Sequence, residues 1–172
     1  MIKDEATNEP SVAAAGLTWL WSGLIAWLGL LGVVYLLSSL MGLPPAGLSF
    51  FVGDAVTGSS AAAKLWAGRA LLLGFALLWA ALYPRVRSAL PRPEWTRGLL
   101  YGLAIWAFSL FLLIPLAAWL NGTLAAGRFQ WMRLLGTGYG GYEGLAMSLA
   151  AHIVYGLLLA TVYNRSRAAS WT

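Results

Sequence analysis

The stretch Leu17 to Met41, LTWLWSGLIAWLGLLGVVYLLSSLM, decides the fold class. It lies inside 44 residues without a charge, Pro10 to Gly53, and a hydrocarbon layer about 30 Å thick needs roughly 20 apolar residues in a helix. One span fits this run better than two, because Gly42 to Ser60 carries Pro44, Pro45 and repeated Gly and Ser, and reads as loop. Three more runs share its character. They are Leu65 to Tyr83, which Pro84 is expected to stop, Gly98 to Leu120 with a kink at Pro115, and Gly144 to Tyr163. Of the 172 residues, 60% are hydrophobic and 10% charged, too few charges for a water-facing surface. The expected fold class is all-α, a polytopic membrane protein with four transmembrane helices. Residues 17–163 form the membrane domain, flanked by cytoplasmic tails at 1–16 and 164–172.

Basic residues set the expected orientation. Lys3, Arg85, Arg87, Arg92, Arg97, Arg165 and Arg167 fall on one side of the spans, against Lys64, Arg69, Arg128 and Arg133 on the other. Seven against four puts both termini in the cytoplasm of a bacterial inner membrane. Arg69 lies one turn inside its span, where a long side chain snorkels to the interface. The opening MIKDEATNEP lacks the basic start of a signal peptide, so none is expected. Trp19, Trp21, Trp66, Trp119 and Trp131 read as interface anchors, whereas Trp27 and Trp106 lie deep. The net charge of +5 is spread over span ends instead of forming a patch, so nucleic acid is not an expected partner. Lipid and other integral membrane subunits are.

Shifting the chain against itself by 80 residues makes 19 of 70 positions identical between 20–89 and 100–169. Gly42 meets Gly122, Ala46-Gly47 meets Ala126-Gly127, Thr57-Gly58 meets Thr137-Gly138, and Tyr83, Arg85 and Arg87 meet Tyr163, Arg165 and Arg167. Each unit holds two spans, so the expected arrangement is two tandem hairpins of the same orientation.

His152 is the one histidine, deep in the fourth span. Every fourth residue around it is small or polar: Gly144, Ser148, His152, Gly156, Ala160. That stripe is expected to pack on a neighbouring helix, with Gly98 and Gly102 as further close-packing positions. The ring then hydrogen-bonds a carbonyl or hydroxyl of the bundle. The alternative is an axial ligand to haem iron or chlorophyll magnesium. Asp54, Glu94 and Glu143 lie on separate loops, so no catalytic residues and no metal site are expected. Without cysteine, disulfides, thiolate metal sites and cysteine nucleophiles are excluded. Gly136, Gly138 and Gly141 satisfy GxGxxG, but no strand precedes them and a membrane span follows, so they read as a turn. Arg128 to Leu135 reads as a short interfacial helix, and Pro44 to Ser60, with Phe50 and Phe51, as its counterpart.

Arg97-Gly-Leu-Leu-Tyr-Gly102 leading to Trp106 and Pro115, then Ala151-His-Ile-Val-Tyr-Gly156 ending at Tyr163, resembles the small four-helix YagU-like inner-membrane proteins over Leu17 to Tyr163. The resemblance implies the four-helix architecture and no established activity. Leu72 stands opposite His152 in the 80-residue register, so the motif is not duplicated. The expected function is a non-catalytic accessory subunit of a larger membrane complex, in a respiratory or photosynthetic electron-transfer chain. The alternatives are haem or chlorophyll binding through His152 and a small homo-oligomeric transporter or channel.

Overall fold

The computed structural model describes residues 12–42, 47–120, 122 and 141–169, and among these there is helix and no strand. The elements are α1 (Val12–Met41), α2 (Gly47–Asp54), α3 (Ala61–Val86), α4 (Glu94–Phe108), α5 (Ile114–Leu120) and α6 (Gly141–Ala169). A 3-10 turn, Arg87–Ala89, extends α3, and a π-helical turn, Ser109–Leu113, joins α4 to α5. Four stretches are long and apolar enough to cross a membrane: Leu17–Met41, Ala61–Ala89, Glu94–Leu120 and Tyr142–Ser166. The chain is an all-helical multi-pass membrane protein.

Two local expectations need correction. Pro84 does not stop α3, which runs through it to Val86. It sits in the last turn, where its missing N–H leaves one carbonyl without a partner instead of breaking a long ladder. The expected span Leu17–Met41 stands, within helices that extend to Val12 at one end of α1 and Ala169 at the end of α6, because apolarity marks the lipid layer and not the end of the helix. The stretch read as loop after α1 contains α2. Packing holds this short helix: a Cβ on Gly53 would strike the Lys64 carbonyl, and one on Gly68 would strike the Ser49 carbonyl. Two glycines thus let the α2 and α3 backbones touch, and a Lys64–Asp54 ion pair closes the crossing. Ser60 starts α3 by accepting from the Ala63 N–H at 3.4 Å.

Pro115 expresses its distortion one turn upstream. Proline supplies no N–H and its ring crowds the carbonyl four residues back. The chain widens there into the π turn, which ends with the Ile114 N–H donating to Ser109 O.

Helix α6 is the central strut, packed against α1 and α4, while α1 also packs against α3. The α4–α6 crossing is a backbone contact: a Cβ on Gly156 would lie 2.7 Å from the Gly102 nitrogen, and one on Gly98 would lie 2.8 Å from the Gly156 carbonyl oxygen. Between α3 and α4 the contact is made by rings instead, with centroids 5.0 Å apart for Trp79–Phe108 and 5.1 Å for Tyr83–Tyr101. Glycines draw one pair of helices together and aromatics prop another apart, which leaves space at the bundle centre. Outside, Trp21, Leu28, Leu36, Leu40 and Phe111 are exposed, as suits a lipid-facing surface.

Candidate functional site: the central cavity

Two buried tyrosines fix the geometry around this space. Tyr155 of α6 donates to the Ala76 carbonyl at 2.5 Å, and Tyr101 of α4 donates to the Trp79 carbonyl at 2.6 Å. Both acceptors lie on α3, so these bonds set how far it stands from its neighbours. A cavity of about 110 Å³ results, walled by all four spanning helices and by Leu48 and Ser49 of α2. Most of its wall is apolar, including Trp27, Leu30, Leu72, Phe75 and Leu110. Arg69, Trp106, Ser109, Ser148 and His152 supply polar groups.

The imidazole of His152 is oriented from two sides. Nδ1 lies 2.8 Å from the Ser148 carbonyl, which only accepts, so Nδ1 carries a proton. In the neutral ring Nε2 then holds the lone pair, 3.4 Å from the Ser109 hydroxyl on the π turn. The expected hydrogen bond to the bundle is therefore divided: a short one within α6 and a long one to the neighbouring span. An N–H fixed by a carbonyl, with the other nitrogen turned outward, is also how a ligating histidine is held.

That orientation suits an axial ligand, but the space does not suit a macrocycle. An apolar cavity of about 150 Å³ takes benzene, and this one is smaller. The residues present do not fit haem or chlorophyll.

Arg69 lines the cavity, and its guanidinium donates to the Tyr35 hydroxyl of α1 at 2.5 Å and lies 5.2 Å from the centre of the Trp66 ring. Both partners are exposed and Arg69 itself is half-buried, so the guanidinium lies at the edge of the bundle. The indole N–H of Trp106 is buried and has no hydrogen-bond partner.

Of the residues singled out from sequence, Gly98, Gly102, Gly156 and the backbone of His152 meet at the α4–α6 crossing. Ser148 and His152 line the cavity, Ala160 is buried, and Gly144 is half-buried near the start of α6. Trp21, Trp66 and Trp119 are exposed, but Trp19 is half-buried against the core. Trp131, the interfacial segment 128–135 and Gly136 to Gly140 lie outside the described residues. Sequence reading missed Ser109 and the cavity role of Arg69. The available signal was spacing: Arg69, Leu72, Ala76 and Trp79 recur at three and four residues, one helical face.

Fold and cavity together define an all-helical membrane bundle with a small central pocket. No family model, curated protein or solved structure matches this chain.

Proposed function

We propose that this chain is a non-catalytic accessory subunit of a bacterial inner membrane whose bundle holds a small molecule in its central cavity. The observation that carries this reading is the cavity, walled by every spanning helix and lined by both Arg69 and His152. Ionisable side chains are costly at membrane depth and mark function when they face a cavity instead of lipid. Both termini are cytoplasmic, in keeping with the seven-to-four bias of Lys and Arg. The partners are other integral subunits of a respiratory or photosynthetic complex.

Extraction in mild detergent, affinity capture and native mass spectrometry test this. A fixed-stoichiometry complex is expected, together with a small-molecule mass that a cavity-filling Ser148→Leu variant loses. A lone chain that takes up no small molecule would remove the reading.

Transport is a second reading, favoured by two interruptions of helical regularity beside the cavity, α2 and the π turn. Reconstitution into liposomes separates the two. Solute flux that Ser148→Leu abolishes supports transport, and retention without flux supports a holding subunit.

A further inference from the structure

Resting on that ligand-holding reading, we propose that the cavity binds a small monocarboxylate, its carboxylate paired with Arg69 and its alkyl part against the apolar wall. The two outer cations of α3 make the first argument by contrast. Lys64 has Asp54 as its counter-charge. Arg69 has a neutral hydroxyl and an aromatic ring, and among the described residues no carboxylate forms an ion pair with it. Arg69 is half-buried, so its guanidinium is only partly hydrated, and a bound carboxylate supplies the counter-charge it lacks.

The Trp106 N–H is the second argument. It is a buried donor without an acceptor, on a residue that lines the same cavity. A carboxylate offers about four lone-pair sites, enough for a guanidinium and an indole together. His152 works the other way, since its Nε2 accepts. The anion therefore belongs at the Arg69 side.

Wall chemistry and size narrow the class. Leu30, Leu72, Phe75 and Leu110 offer nothing to a phosphate or sulfate, which would lose its hydration without replacement. They do suit a short hydrocarbon chain. The cavity volume of about 110 Å³ suits a ligand of about six heavy atoms, the size of butyrate.

Tryptophan fluorescence of the whole chain in detergent reads binding, because Trp27, Trp79 and Trp106 line the cavity. The titrants are sodium salts of straight-chain acids from acetate to palmitate, with n-butanol as the neutral match to butyrate. Butyrate is expected to saturate, about tenfold or more tighter than butanol, with affinity greatest at four to six carbons. Arg69→Gln should remove that preference and Arg69→Lys should keep most of it. Trp106→Phe should weaken butyrate severalfold, with helicity by circular dichroism unchanged in all three. Equal binding of butanol and butyrate would overturn the carboxylate while leaving a ligand-holding bundle. A steady rise in affinity to palmitate would overturn the confined ligand and point to lipid acyl chains. Binding of neither titrant would remove both this proposal and the reading beneath it.

Discussion

Substituting Gly156 by Ala places one methyl group where two backbones already touch. The new Cβ would lie 2.2 Å from the Gly98 carbonyl oxygen, 2.7 Å from the Gly102 nitrogen and 2.8 Å from the Gly102 Cα. The helices must separate by roughly 1 Å to bring the 2.2 Å contact to the ~3.3 Å of a relaxed carbon–oxygen contact, since backbone atoms cannot rotate aside as a side chain would. Overpacking of this kind costs about 3 kcal/mol at the upper end. Replacing glycine in a helix interior returns about 1 kcal/mol. The net expectation is a loss of about 2 kcal/mol, close to thirtyfold in the folding equilibrium. Gly74 is the internal control, because it is exposed and a Cβ there meets nothing within 4 Å. Gly74→Ala should show only the helix gain. Unfolding both variants by titrating SDS into mixed micelles, followed by tryptophan fluorescence, gives the comparison. If Gly156→Ala falls within about 0.5 kcal/mol of Gly74→Ala, the backbone-contact account of the α4–α6 crossing is wrong.

Tyr101→Phe and Tyr155→Phe should each cost about 1 kcal/mol in the same titration, since each removes one buried hydroxyl bond to an α3 carbonyl that retains its helical partner. Trp106→Phe in ligand-free protein should be neutral or stabilising by up to about 1 kcal/mol, because it removes a buried donor that lacks an acceptor; a clear drop in melting temperature would contradict this. Cysteines at Ser59 and Ser88, exposed beyond opposite ends of α3, should react with a membrane-impermeant maleimide from opposite sides, Ser59 from outside. Labelling of both from one side would deny that α3 spans the bilayer.

The spans were legible because long apolar runs with at most one charge have few other places to go. The Gly98, Gly102 and Gly156 contact was legible for a related reason: small residues at four-residue spacing serve little purpose facing lipid. Residues whose roles depend on several helices at once were harder. Arg69 sits near enough to a span end to be read as an interface residue, and its place beside the cavity depends on neighbours from other helices, Tyr35 of α1 among them. Ser109 carries no mark in the sequence, because its place opposite His152 follows from the π turn that Pro115 imposes six residues later. Helix α2 was hidden by its composition, since the Gly53 that reads as a breaker is what permits the touching backbones.

The central position of α6 has a consequence for the order of events during synthesis. It is the last of the four spans to leave the ribosome, yet it packs against both α1 and α4, and the Ser38–Met147 contact joins residues 109 apart in sequence. Until α6 enters the bilayer, Gly98 and Gly102 have no opposing backbone, and the α3 carbonyl of Ala76 waits for the hydroxyl of Tyr155. The first three spans are therefore held only by α1 on α3 and by the ring and Tyr101 contacts between α3 and α4. Compaction comes in one late step, paced by translation instead of by helix formation. A chain cut short before α6 leaves the glycine face of α4 with no helix to meet.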